Sequence, residues 1–391
     1  MSGPTSSRDL GVYLHIPFCE HVCPYCDFAV EAVGRLAPEL ERAYVELLLR
    51  ELEITRAALG ERLEGRTLAS VYFGGGTPSL LEATSVERLL RALSETFGAS
   101  AEEVTLELNP GILECSRVAE YRMAGVTRLS VGVQSLRDLV LKRLGRAHRA
   151  AEALRGLEAC LAADFPSLSV DLIYGAPDQT ELELLDDLQR LIDLGVPHVS
   201  TYALTLESGT PFERAHARGR LRLPGEDETL RMARLLRVRL LGAGYEQYEI
   251  SSFSRPGQRS RHNQRYWLRR DVLGLGVSAA SLVGDLRFQN LKTRSAWQEA
   301  VEWGQRPLAE AEVLSEDDAR RETLYLGFRQ LEGVSRADFR RRFGSAPEEH
   351  FAAELEELAS LGLVCEGEGR LRLTDRGILF ADEVFLRFVG R

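Results

Sequence analysis

The sequence predicts an α/β fold, an incomplete (β/α)6 TIM-like barrel followed by a small C-terminal winged-helix-like domain. Three observations predict it. Between residue 11 and about residue 204, six short apolar runs alternate with stretches whose apolar residues recur every three or four positions. Polar and glycine residues gather at the C-terminal ends of those runs. After Pro307 the alternation stops, and short helical stretches with one hairpin take over. Pattern alone leaves a doubly wound sheet as the alternative.

The apolar runs are 12–16, 70–73, 104–108, 128–133, 168–174 and 199–204, and helices are predicted at 38–59, 86–97, 151–162 and 181–194. Strand followed by helix followed by strand means parallel pairing through right-handed crossovers. From 205 to 300 the pattern loosens. A helix at 227–242 precedes a strand-like YEQYEIS, a polar loop SRPGQRSRHNQRYW and the glycine-rich GLGVSAAS. The boundary is placed between 1–304 and 305–391. In the second part helices are expected at 316–330, 336–343 and 347–361. Ser315 with Asp318, and Ser335 with Asp338, mark two helix starts. A hairpin is expected at 363–373, then a helix capped by Thr374.

The chain of 391 residues carries a net charge of −10 and is 44% apolar, ordinary for a globular protein. Nothing in this balance calls for nucleic acid. The run Arg340-Arg341-Arg342 reads as a solvated helix face beside Glu348, Glu349 and Glu354. MSGPTSSRDL lacks the apolar centre of a secretion signal, and the small-and-apolar run 272–284 is short of the ~20 residues that span a bilayer. Cys115, Cys160 and Cys365 stand alone, so no disulfide framework is implied and a reducing, cytoplasmic setting is expected.

The stretch YLHIPFCEHVCPYCDF places Cys19, Cys23 and Cys26 within eight residues at the end of the first run. An iron–sulfur cube wants four ligands, so three thiolates leave one iron open to a small molecule. Structural zinc completed by His15 or His21 is a second reading, and a reactive Cys23–Cys26 pair a third. Gly74-Gly75-Gly76-Thr77-Pro78 ends the second run. Glycines there let a ligand approach the backbone, and no phosphate-loop lysine is present. Glu107, Gln134, Arg146 and Asp171 fall on the same predicted rim and suit a zwitterion, arginine for a carboxylate and carboxylates for an ammonium or ribose. Arg146 could equally lie on an exposed loop. His262, in the polar loop, is either a surface residue beside the anchoring aromatics Tyr266 and Trp267 or a haem-iron ligand with those rings over the porphyrin.

CEHVCPYC with GGGTP resembles the radical S-adenosylmethionine (SAM) superfamily. Within it, YLHIPFC, FGGGTPS, LELNPG, RLSVGVQSL, VDLIYGAPDQT and YEQYEIS resemble the oxygen-independent coproporphyrinogen III oxidase-like family over nearly the whole chain. The resemblance implies a [4Fe–4S] cluster on Cys19, Cys23 and Cys26 with SAM on its fourth iron. It implies SAM contacts at Tyr13, Tyr25, Gly75, Gly76, Thr77, Glu107, Gln134, Arg146, Asp171 and Ala203, and an external electron donor. Two departures bear on activity. Phe28 stands where the decarboxylating oxidases carry a further cysteine, and only twelve residues precede Tyr13. Both features, and HNQRYW at 262–267, resemble the haem chaperones of the same family (HemW type). That implies haem as cargo, contacts from His262, Tyr266 and Trp267, and delivery to haem-requiring proteins such as membrane respiratory enzymes. The implied setting is cytoplasmic, with peripheral attachment at the inner membrane face. The oxidase reaction, radical-driven decarboxylation of coproporphyrinogen III, is the alternative.

Overall fold

The computed structural model describes residues 8–98, 100–111 and 116–389. Cys115 lies outside them. Six strands carry the barrel: β1 (Asp9–Ile16), β2 (Thr67–Gly75), β3 (Glu103–Leu108), β4 (Arg128–Gln134), β5 (Ser167–Tyr174) and β6 (His198–Ala203). They pair in sequence order, all parallel. Between them run helices Pro38–Leu59, Ala83–Phe97, Val118–Met123, Ala150–Ala162 and Glu181–Asp193. The sheet continues through β7 (Glu246–Gln247), β8 (Ser252–Ser254), β9 (Val272–Leu275), β10 (Ala280–Val283), β11 (Leu286–Asn290) and β12 (Leu308–Val313). Among the described residues the strand order is β12-β11-β10-β9-β1-β2-β3-β4-β5-β6-β8-β7, open at both ends.

Strand periodicity of two explains why such a sheet can wrap around a polar lumen. In β2, Val71 and Phe73 are fully buried against the outer helices, while Ser70 and Tyr72 face inward. The inward positions continue across the register: Tyr13 pairs with Tyr72, Glu107 with Ser130, Ser130 with Ser169 and Asp171 with Ser200. The outward residues join Leu48, Leu52, Leu89, Leu93, Leu157 and Leu188 in one core. Each such leucine contributes about 1.5–3 kcal/mol.

The structure departs from the sequence expectation at three places. The glycine-rich GLGVSAAS, to which the sequence reading assigned no element, begins within one: Val272–Leu275 is a seventh parallel strand, against β1. A Cβ on Gly274 would sit 2.4 Å from the Ala280 carbonyl, so glycine is what lets β9 and β10 meet. Leu308–Val313, expected beyond the domain boundary, pairs with β11 at the edge of the main sheet. HNQRYW is a helix, Arg261–Trp267, not a loop. Ser260 caps it, and Glu103 accepts the backbone N–H groups of Arg261 and His262 at 3.0 and 2.8 Å. Arg265 donates to the carbonyls of Asp9 and Asp271. The helix therefore sits against the N-terminal ends of β1, β2, β3 and β9 and floors that side of the barrel.

The C-terminal module is built on helices Glu316–Gly327, Arg336–Phe343 and Glu348–Ser360 and a small sheet, β13 (Val334–Ser335), β14 (Val364–Gly367) and β15 (Arg370–Leu373), in the order β13-β15-β14. It has its own core of Phe328, Phe339, Phe351, Leu358 and Phe388. It is tied to the barrel by a buried ion pair, Arg269 to Glu322 at 2.8 Å, and by Arg329 lying 4.2 Å from the Trp267 ring centre.

Candidate functional site

The C-terminal ends of β1 to β6 open on a cleft of ≈ 640 Å³. It is lined by Cys19, Cys23 and Cys26, by Tyr25, Gly75, Gly76 and Thr77, and by Glu107, Gln134, Arg146, Asp171 and Ala203. Every sequence-predicted cluster or SAM residue lies there except Tyr13. Tyr13 instead lines a second cavity of ≈ 310 Å³ with His15, Phe28 and Tyr266, and Asp27 and Phe28 border both spaces.

The cysteines sit on the loop leaving β1, and all three are free thiols. A turn between them bonds the Cys26 N–H to the Cys23 carbonyl at 3.1 Å. Thr77 Oγ1 lies 3.7 Å from Cys19 Sγ, and Arg146 Nη1 lies 3.6 Å from Cys23 Sγ. Burial pushes the Cys19 thiol up to about 11 and raises Cys26 as well. Three thiols are the set a cube takes when one iron is left open. A cube takes one thiolate per iron, so its ligands spread over the cluster; zinc draws four donors to ~2.0–2.3 Å of one point. Among the described residues no three His, Cys, Asp or Glu side chains converge on an ion-sized point. His15 is turned to Tyr13 and Ala29, and His21 to the Gly145 carbonyl.

The glycines mark where the end of β2 passes close to the segment that carries the cysteines. Gly75 has φ +108°, and a Cβ there would lie 2.5 Å from the His15 ring. A Cβ on Gly76 would lie 2.6 Å from the Phe18 carbonyl and 3.0 Å from Cys19 Sγ. The opposite wall is acidic and half-buried. Tyr72 donates to Glu107 Oε1 at 2.7 Å and the Gly75 N–H to Oε2 at 3.2 Å, yet burial outweighs them and pushes Glu107 up to about 7. Burial likewise pushes Asp171 up to about 6, opposed by Ser130 at 3.1 Å. Arg146 is not on an exposed loop. Its Nη2 donates to Asn109 and to the Gly132 carbonyl, and its buried Nε has no partner. Arg146 and the carboxyl groups of Glu107 and Asp171 line one cleft, a set that suits an incoming zwitterion.

The haem-implied residues are placed differently from the sequence expectation. His262 is 1% exposed, neither a surface residue nor open to a ligand. Its Nδ1 lies 2.8 Å from Ser70 Oγ and its Nε2 3.1 Å from the Tyr266 hydroxyl, with the Tyr72 ring against it. Direct ligation of iron by His262 would break one of those bonds and open the packed helix. Tyr266 and Trp267 do not share a face, because successive helical residues point about 100° apart. Their rings are inclined by 58°; Tyr266 faces the second cavity and Trp267 packs under Arg329 of the C-terminal module. Tyr72 and Ser130, which hold the two carboxylates, were missed by the sequence reading. Their signal was the small-polar alternation in SVYF and RLSV.

An open parallel barrel with three thiols, a glycine ridge and two half-buried carboxylates at one mouth defines the class. The Radical SAM superfamily model matches residues 13–191, and the HemN C-terminal domain model matches residues 314–380. Membership of that superfamily implies a [4Fe–4S] cluster and SAM. Proteins named heme chaperone HemW match nearly end to end. The one from Lactococcus lactis is 35% identical, covering 96% of both chains, and the one from Escherichia coli is 34% identical over 97% of this chain and 98% of its own. The chain belongs to this HemW family of radical SAM proteins. The solved coproporphyrinogen III oxidase HemN of Escherichia coli, a radical SAM enzyme, superposes with a TM-score of 0.81 at 26% identity, over 98% of this chain and 91% of its own. Among the described residues no helix is long and apolar enough to cross a membrane.

Proposed function

We propose that this protein is a haem chaperone, binding haem and handing it to haem-requiring proteins, membrane respiratory enzymes among them, from the cytoplasmic face of the inner membrane. The carrying observation is the end-to-end likeness to heme chaperones, 35% identity over 96% of each chain. Phe28 supports it. At the position where the decarboxylating oxidases are expected to carry a further cysteine, this chain presents a phenyl ring that is 61% exposed and borders both cavities. That ring can pack on a macrocycle and cannot ligate metal or pass a proton.

In this reading Cys19, Cys23 and Cys26 hold the cluster and leave one iron for SAM. Arg146 and the carboxylates of Glu107 and Asp171 orient the cofactor, and Gly75 and Gly76 admit it to the backbone. Bound together, cluster and SAM supply one-electron radical chemistry, fed by an external donor. The rival reading, oxidative decarboxylation of coproporphyrinogen III, is favoured by the likeness to HemN. One anaerobic experiment separates them. Reconstituted protein with SAM and reductant is given haem in one arm and coproporphyrinogen III in the other. Stoichiometric haem binding without protoporphyrinogen is expected; protoporphyrinogen formation would overturn the proposal.

A further inference from the structure

Two stretches of the chain concentrate positive charge. Residues 142–149 and 214–222 hold eight arginines and lysines and no acid, in a chain whose net charge is −10. Arg146 turns into the cofactor cleft, while Lys142, Arg143 and Arg149 are exposed. Arg214, Arg218, Arg220 and Arg222 are exposed as well. Arg143 pairs with Asp178, and Arg214 donates to the Gly209 carbonyl. Among the described residues none of the other five exposed cations enters an ion pair.

Packing brings both stretches to the same corner of the cysteine loop. On one side a Cβ on Gly145 would come within 2.5 Å of Pro24 Cδ, and the Gly145 carbonyl meets His21 Nε2 at 2.6 Å. On the other side the Phe212 N–H donates to the Pro24 carbonyl at 3.0 Å. Val140, Leu144 and Phe212 share a small apolar cluster, against which Tyr25 and Leu221 pack. Pro24 and Tyr25, between Cys23 and Cys26, are thus gripped from two sides by segments with cationic outer faces. From Phe212 to Cys23 the path is one hydrogen bond and the backbone of Pro24. Unpaired surface cations repel one another and draw anionic partners by steering.

We propose that this cationic surface docks an acidic one-electron carrier protein, which reduces the cluster through the Pro24–Phe212 corner. The inference rests on the cluster-and-SAM reading and names where its external donor binds. One electron leaves the partner's reduced cofactor and enters the [4Fe–4S]2+ cube, giving [4Fe–4S]+; no bond breaks and no proton moves. Electron-transfer complexes are small and short-lived, so charge steering counts for more there than buried apolar area. An anionic membrane also attracts arginines, but a surface-bound segment inserts apolar side chains beside them. Here Leu144 is fully buried and Leu221 packs inward on the apolar cluster, so neither stretch has a leucine to insert.

Anaerobic stopped-flow absorbance follows reduction of the reconstituted full-length protein by two acidic carriers, a reduced flavodoxin and a reduced ferredoxin. Calorimetry follows binding of their oxidised forms. Dithionite, a small reductant that needs no docking surface, is the control, with iron content reporting folding. Carrier rates should fall about ten-fold between low salt and ~0.3 M. Arg218→Glu with Arg220→Glu, and Lys142→Glu with Arg149→Glu, should each slow carrier reduction and weaken binding about ten-fold. Both should leave the dithionite rate and the iron content unchanged. Arg340→Glu with Arg341→Glu, the same charge change on the exposed face of helix Arg336–Phe343, should leave carrier reduction and binding as they are. Carrier rates indifferent to the first two reversals, or slowed equally by the third, would overturn the proposal. So would failure of both carriers where dithionite succeeds. Phosphatidylglycerol vesicles that bind wild type and not the reversals, with carrier rates unchanged, would overturn it in favour of a membrane. A protein that assembles no cubane would instead overturn the cluster reading beneath it.

Discussion

The Tyr72 hydroxyl donates to Glu107 at 2.7 Å, and the same Tyr72 ring lies against His262. One strand residue thus connects the acidic wall of the cofactor cleft to the helix that floors the barrel. Glu107 is held at about 7 by burial, well above its unfolded value of ~4.3. A carboxyl raised on folding binds more protons folded than unfolded, so it stabilises below pH ~4.3 and that contribution is lost as pH rises to about 7. Scanning calorimetry of ligand-free protein should show Tm falling across that window. Glu107→Gln should flatten this part of the profile and weaken SAM binding. Superimposable profiles would contradict the placement.

Gly75 and Gly76 should resist even alanine. At Gly75 the backbone is left-handed and the new methyl meets the His15 ring. Strain of this type costs about 1–3 kcal/mol. Gly76→Ala would press on the Phe18 carbonyl and Cys19 Sγ, so its damage should appear in iron content more than in Tm. Iron and sulfide analysis beside thermal melts checks both, and wild-type values in both variants would refute the close approach.

Each of Cys19→Ser, Cys23→Ser and Cys26→Ser should lose most of the reconstituted iron and the brown absorbance. Cys365→Ser, exposed on β14 far from the thiol loop in sequence, should keep both. Iron retention in all three loop variants would remove the cluster assignment.

Much of this was written in the sequence. Pro38–Leu59 and Arg336–Phe343 begin and end where helical periodicity and caps put them, and the ends of β1 to β6 lie within three residues of those of the six apolar runs. Local pattern sufficed because each unit's apolar face is set by its own residues. The failures share one cause, partners distant in the chain. Val272–Leu275 is a strand because β1, some 260 residues earlier, offers it an edge, while its own glycines mute the β signal. His262 read as either a surface residue or an open ligand, yet Arg261 and Arg265 find Glu102 and Asp9 far upstream, which lets the segment fold inward. Of the site, the donor types were legible; that Tyr13 turns from the cleft to the second cavity was not.

The junction between barrel and C-terminal module depends on Glu322. It pairs with Arg269, whose side chain is 2% exposed, and also with Arg287 at 2.7 Å. Glu322→Ala leaves a buried guanidinium uncompensated, which should cost about 3–5 kcal/mol. Replacing both partners, Arg269→Met with Glu322→Leu, should cost less. Denaturant melts test the order, and a double variant less stable than Glu322→Ala would contradict it.

The account turns on a cube with one iron left for SAM. The most direct measurement is electron paramagnetic resonance of anaerobically reconstituted, reduced protein before and after SAM is added. A [4Fe–4S]+ signal whose g-values shift on SAM addition is the predicted result. A cubane signal indifferent to SAM, or no cubane at all, would contradict it.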